Sequence, residues 1–258
     1  MMHSVPSIMR AYVRRLGAAG LWMSAKRATS MPTAGWANGR RGPCYCGILS
    51  ETRETRGRGE SVEEVTVDRA TRCSWAGDKP HMIRYHDKEW GKPVHRDRKH
   101  FEMLLLEGAQ AGLTWDTILR KRAGYRKAFA GFDPKKVARF TAKTKAVLLK
   151  NPEIIRNRLK IDSAVTNAQA FLAIQKEFGS FDAYVWSFVG GEPIISRWKR
   201  MGEAPATNPV SDTLSKDLKK RGFRFVGSTI VYAYMQAVGM VDDHLIGCLA
   251  KSRKSQAT

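Results

Sequence analysis

Cys73 with His86, and His244 with Cys248, make a Cys₂His₂ set whose two halves are separated by most of the sequence. Two thiolates and two imidazoles are a donor set for tetrahedral zinc, and four protein ligands leave no open position for a catalytic water, so such an ion would be structural. Zinc sites usually draw ligands from short local spacings, whereas this one would act as a clasp closing a long loop. Closing a long loop removes chain entropy from the unfolded state, with a logarithmic dependence on loop length. The local C-x₂-C pair of a zinc finger is missing, and buried cysteine is common as a small hydrophobe. Four unrelated residues are therefore the alternative reading.

Glu107 stands three residues after Leu104 and four after Met103 in LLLEGAQAG, on one helical face with apolar side chains. A buried carboxylate must be paired, hydrogen-bonded or protonated, and such places are often functional; the other reading is a helix-end glutamate turned to water. Trp75, Tyr85, Trp90 and Trp115 are grouped in sequence with Glu107 and the first two metal candidates. A protein that extracts a base from a duplex needs flat apolar faces to sandwich it and a few polar groups to read its edge, although most aromatics in any domain are core.

The stretch LLKNPEIIRNR over residues 148–158 reads as a hairpin between two helices, with Arg156, Arg158 and then Lys160 along a basic edge. Backbone amides at a helix N-terminus with nearby arginine clamp a phosphate; a helical turn with solvated charges has the same pattern. Glu153 counts against the clamp, because glycine would allow closer approach and a carboxylate repels an anion.

Regular elements must position these groups. From residue 72 onward apolar residues recur at three and four positions, which predicts helices over 98–111, 115–129, 141–150, 156–178 and 181–189. A short helix is capped by Asp133 and opened by Pro134. Residues 190–209 read as a loop, Ser211 as the cap of a helix ended by Gly222, and 228–238 as a helix ended by Gly239. The apolar stretch 230–241 is broken by Gln236 and Gly239 and too short for a bilayer, so it reads as a buried helix. No strand pair is convincing, and the fold class is all-α.

The chain of 258 residues is 43% hydrophobic, enough for a sizeable core, and carries a net charge of +21. Residues 1–70 hold 11 Lys/Arg against 6 Asp/Glu, leaving 34 against 18 in the remainder, so the folded part is itself basic. Such a surplus attracts polyanions, nucleic acid before anionic membrane. Residues 1–71 read as a basic disordered extension, 72–250 as the folded domain and 251–258 as a disordered tail. Cys44 and Cys46 form a C-Y-C too tight for ordinary chelation by a neighbouring pair. Four cysteines without a signal peptide argue for a reducing compartment, read as the cytoplasm, with no membrane association.

The runs RCSWAGDKPHMIRYHDKEWG, FEMLLLEGAQAGLTW, DAYVWSF and SDTLSKDLKKRGFRFVGSTIVYAYMQAVGMVDDHLIGC resemble the DNA-3-methyladenine glycosylase I family, collinearly over residues 72–248. The resemblance implies an all-α helix-hairpin-helix glycosylase with a zinc clasp joining the chain ends. It assigns one structural Zn²⁺ to Cys73, His86, His244 and Cys248, and the pocket carboxylate that recognises the extruded base to Glu107. Tyr85 and Trp115 match pocket walls, with Trp75 and Trp90 in the same signature. Met82 stands where the family often has a second pocket tyrosine, and Glu153 where the hairpin often has glycine. The activity implied is monofunctional base excision of 3-methyladenine from alkylated double-stranded DNA by base flipping, leaving an abasic site, and we expect a monomer. Residues 1–71 have no counterpart in the resemblance. A non-catalytic helix-hairpin-helix protein that binds damaged DNA is the alternative; it needs no buried carboxylate. A catalytic zinc hydrolase would need a water in place of one ligand.

Overall fold

The structure, a computed structural model, describes residues 71–252. All but the last residue of the expected extension 1–71, with Cys44 and Cys46, and residues 253–258 of the expected tail 251–258 lie outside the described residues.

Nine α-helices are found among the described residues: α1 (Pro80–Lys88), α2 (Asp97–Gln110), α3 (Trp115–Ala128), α4 (Pro134–Val137), α5 (Ala142–Lys150), α6 (Arg158–Phe178), α7 (Phe181–Trp186), α8 (Pro209–Lys220) and α9 (Ser228–Ala237). The centre is α2, where every residue from His100 to Ala109 is buried. It packs against α3, α6, α7 and α9, as expected of a helix apolar on nearly every side. Phe101 meets Phe171 edge-on at 5.3 Å, and Phe171 stacks on Phe181 at 4.1 Å. Two buried polar residues of α2, Glu102 and His100, are paired. Glu102 accepts from Arg122 at 2.9 Å and Arg126 at 3.1 Å, and His100 sits between the Tyr234 hydroxyl at 2.7 Å and Asp182 at 3.0 Å.

Helix starts are fixed by side chains that take up otherwise unpaired N–H groups. Thr114, Asp133, Thr141, Asn157 and Ser180 cap α3 to α7 in turn. At α8 the expected cap is displaced. Asn208 is the N-cap and Pro209 opens the helix, while Ser211 is the third residue of a capping box, its hydroxyl accepting from the Asn208 N–H. Proline fits the first helical position because its missing N–H would be unpaired there.

The all-α reading needs one addition. Ile194–Ile195 and Val241–Asp242 form two short strands, β1 and β2, paired in parallel with Ile194 opposite Val241. The apolar stretch expected to be helical through residue 241 leaves the helix after Ala237, turns at Gly239 and continues as β2. A second parallel bridge joins Thr71 to Cys248. The boundary at 250 also moves, since Lys251 is buried and its ammonium donates to the Ser196 carbonyl at 2.6 Å and the Asp242 carbonyl at 3.0 Å. Among the described residues no helix is long and apolar enough to cross a membrane.

Candidate metal centre and aromatic cavity

The ligand atoms of Cys73, His86, His244 and Cys248 lie within 4.8 Å of one another, and all four residues are buried. The Cys248 sulfur is 3.4 Å from His86 Nε2 and 3.5 Å from His244 Nδ1, and Cys73 Sγ is 3.7 Å from His244 Nδ1. Cys73 lies just before a 3₁₀ turn (Ser74–Ala76), His86 near the end of α1, and the other two after β2. The ring nitrogens facing away from the sulfurs are also occupied. His86 Nδ1 meets Asp87 at 2.7 Å, and His244 Nε2 meets the Trp90 carbonyl at 3.0 Å. Asp87 is held in turn by Arg72 at 2.9 and 3.0 Å. Outer partners of this kind fix the tautomer and orientation of a metal-ligating histidine. The set fits a tetrahedral metal ion with no open position.

α1 carries His86 to the cluster and Tyr85 to a cavity of about 210 Å³ lined by Trp75, Tyr85, Trp90, Glu107, Trp115 and Gln236, with Gln110, Ala233 and Met201 completing the wall. Tyr85 and Trp115 are 5.2 Å apart at 54°, and Trp75 meets Trp90 edge-on at 4.9 Å. Trp90 also touches His244 at 4.7 Å, so the aromatic wall and the cluster are continuous. Gly91 makes this possible, because a Cβ there would fall 2.9 Å from His244 Cδ2.

Glu107, one turn from the end of α2, is 4% exposed and lines both this cavity and an adjoining one of about 290 Å³ bounded by Leu113 and the first turn of α9. Of the two readings of this carboxylate, the buried one holds. It has no hydrogen-bond partner among the described residues, and burial raises its pKa to about 8. Burial, with Glu107 as the next contribution, keeps the Tyr85 hydroxyl protonated well beyond its ordinary range. The Nε1 groups of Trp75 and Trp115 are buried without hydrogen-bond partners among the described residues.

Met82 is buried on α1 one turn before Tyr85 and does not line the cavity, so the expected contact at that position is absent from its wall. Sequence reasoning missed Gln110, Met201, Ala233 and Gln236. Gln236 had a signal, as a polar residue interrupting the apolar helix α9, and Gln110 lies one turn beyond Glu107; Met201 sits in a loop segment without any pattern.

The hairpin between α5 and α6 is present, with Arg156 and Arg158 exposed. Lys160 is corrected. Its ammonium donates to the Ala109 carbonyl at 2.8 Å and the Ala111 carbonyl at 2.7 Å, where the C-terminal end of α2 attracts a cation, so it braces the helix that carries Glu107. Burial lowers its pKa. The close approach expected of a hairpin glycine occurs on the facing helix instead: a Cβ on Gly124 of α3 would lie 2.5 Å from both the Cβ and the carbonyl oxygen of Glu153.

The methyladenine glycosylase family model matches residues 75–251. A DNA-3-methyladenine glycosylase of Haemophilus influenzae is 48% identical over 182 residues, covering 70% of this chain and 98% of that protein. DNA-3-methyladenine glycosylase 1 of Escherichia coli is 47% identical over 177 residues, covering 69% and 95%. The solved structure of 3-methyladenine DNA glycosylase I from Staphylococcus aureus, which concerns the structural basis of 3-methyladenine recognition, superposes with a TM-score of 0.69 at 36% identity, covering 70% of this chain and 97% of that one. With the matched residues taking in the cavity and three of the four cluster residues, His86, His244 and Cys248, the chain belongs to the methyladenine glycosylase family.

Proposed function

We propose that the protein is a base-excision repair glycosylase that hydrolyses the N-glycosidic bond of 3-methyladenine in alkylated double-stranded DNA, with zinc as the structural metal of its Cys₂His₂ cluster. The observation that carries the reading is the aromatic cavity with a buried carboxylate that has no hydrogen-bond partner among the described residues. It is consistent with the relatives named for this activity.

A base methylated at N3 carries positive charge, which weakens its bond to the sugar, so selection can rest on the cavity more than on chemical activation. The basic surface, with Arg156 and Arg158 at the hairpin, holds a bent duplex through its phosphates. The damaged nucleotide swings out at a cost of a few kcal/mol, less at a damaged pair, and its base lies against Trp115 and Tyr85. A cation beside Glu107 reverses the burial penalty on its carboxylate. Glu107 then gives up its proton and faces the cationic base as an anion, whereas neutral purines gain no such pairing. Water attacks C1′, the bond from C1′ to the base nitrogen breaks with its electron pair neutralising the departing base, and the proton the water loses passes to solvent. Among the described residues no lysine lines either cavity around Glu107, in keeping with hydrolysis in place of a Schiff base. Cys73, His86, His244 and Cys248 would hold the metal, which would supply a fixed junction between the two ends of the described domain and, with four protein ligands, no position for a catalytic water.

The test is release of free 3-methyladenine from N-methylated duplex DNA, with zinc measured by elemental analysis on the same sample. Release, with about one zinc per chain, supports both parts; no release from folded, zinc-loaded, DNA-binding protein would favour the non-catalytic binder.

A further inference from the structure

Asp243 is fully buried, and its carboxylate takes three neighbours: Trp198 Nε1 at 2.9 Å on one oxygen, and the Tyr232 hydroxyl and Gln236 Nε2 at 2.7 Å each on the other. The indole N–H can only donate, and a carboxylate holding it alongside the phenol can only accept. The side-chain amide of Gln236 therefore has one workable orientation, with its NH₂ toward Asp243 and its carbonyl oxygen away from it. That oxygen has no donor among the described residues, and Gln236 lines the same cavity as Glu107, Tyr85 and Trp115. The main chain of Gln236 is held as well, its carbonyl accepting from the Gly91 N–H at 2.9 Å and the Gly239 N–H at 3.2 Å.

We infer that Gln236, oriented by Asp243, is a specificity-determining residue whose side-chain carbonyl accepts a hydrogen bond from the exocyclic amino group of the bound base. The inference rests on the proposed function and deepens it. The cavity then offers two acceptors from different helices, the Glu107 carboxylate on α2 and the Gln236 carbonyl on α9. An exocyclic amino group has two N–H bonds and can satisfy both. A base with a 6-oxo group brings a third oxygen to the same place and is disfavoured, because a site built to receive donors leaves its acceptors unpaired when the donor is missing. Asp243 acts through Gln236 and is a positioning residue. It immediately precedes the metal ligand His244 in the chain, so the same segment that closes the cluster sets the orientation of the reading group.

The experiment uses the full-length, metal-loaded protein and measures binding of 3-methyladenine and of 3-methylpurine, which lacks the 6-amino group, by quenching of tryptophan fluorescence. Wild type, Gln236→Met and Asp243→Asn are compared, with metal content, melting temperature and excision from methylated duplex DNA recorded for each. The wild-type preference for the amino base is expected to exceed that of Gln236→Met by about tenfold, and Asp243→Asn, whose amide lets Gln236 turn over, is expected to fall between them. Because the readout is a ratio of two ligands on one protein, a general loss of stability does not mimic it. A wild type that excises 3-methyladenine but shows the same ratio as Gln236→Met overturns the inference alone. An unchanged ratio in Asp243→Asn removes Asp243 from the positioning role. A wild type that neither binds nor excises the base overturns the proposed function and the inference with it.

Discussion

His244 Nε2 lies 3.0 Å from the carbonyl oxygen of Trp90, so a ligand of the metal cluster and a wall of the aromatic cavity share one hydrogen bond. The bond fixes which imidazole nitrogen faces the sulfurs. It also means that the cavity is held in shape by the junction that brings Cys73 and His86 to His244 and Cys248. Trp90, Gly91 and Gln236 form a short connected path, with the Gly91 N–H bonded to the Gln236 carbonyl at 2.9 Å.

Cys248→Ser tests this coupling. Losing one thiolate removes a bond between the two ends of the domain, so metal content falls and stability drops on the order of 3 kcal/mol, about 10 °C in melting temperature for a domain of this size. Cavity function should fall with it, read as weaker quenching by 3-methyladenine. Full metal content with an unaltered melting temperature would refute the clasp.

Glu107→Gln separates chemistry from stability. Burial raises the carboxyl to about 8 in the folded chain, against an unfolded value of about 4.3. Between those values the folded state binds more protons than the unfolded one, so this group's contribution to stability declines as pH rises from about 4.3 to 8 and levels off above. The variant abolishes that decline. Its free energy of unfolding should gain on wild type between pH 5 and pH 9, by on the order of 3–5 kcal/mol, while single-turnover excision drops and DNA binding persists. A stability difference that is flat in pH would mean the carboxylate is solvated.

Arg156 and Lys160 lie four residues apart and are expected to behave oppositely. Arg156→Ala should weaken binding to all DNA sequences and make the salt dependence shallower, the mark of a lost phosphate contact. Lys160→Met should leave the salt slope alone and cost about 1–3 kcal/mol of stability, because the carbonyls of Ala109 and Ala111 lose their donor. Salt titrations of DNA affinity beside urea melts decide both.

The Lys160 case marks the limit of what spacing conveys. Helical periodicity located α2, α3 and α6 because their apolar repeats are long, and the Cys₂His₂ set was visible because those residue types have few other uses together. The β1–β2 pair was hidden because two-residue strands have no period, and Gln236 because one polar residue in an apolar helix also reads as a break. Lys160 carried a charge in a basic stretch, and only tertiary packing shows that α2 ends beside it. Whether Glu107 was buried or solvated depended on the same packing, since a residue near a helix end can be either.

Gly124 gives the last prediction. Sequence reasoning looked for a glycine inside the hairpin, yet the contact that excludes a side chain lies where α3 passes under the Glu153 backbone. The hairpin is fastened there by three further contacts: Lys121 donating to the Pro152 carbonyl at 2.6 Å, the Ile155 N–H donating to the Tyr125 hydroxyl at 3.2 Å, and buried Ile154. In Gly124→Ala the new methyl meets Cβ and backbone, which cannot swing aside as a flexible side-chain tip would, so the hairpin must lift off α3. The expected cost is about 1–3 kcal/mol of stability, together with weaker DNA binding as Arg156 and Arg158 shift away from their positions. Free 3-methyladenine should still quench tryptophan fluorescence as in wild type, because the cavity lies at the other end of α3, around Trp115. Loss of base binding equal to the loss of DNA binding would instead mean that the substitution disturbs α3 as a whole.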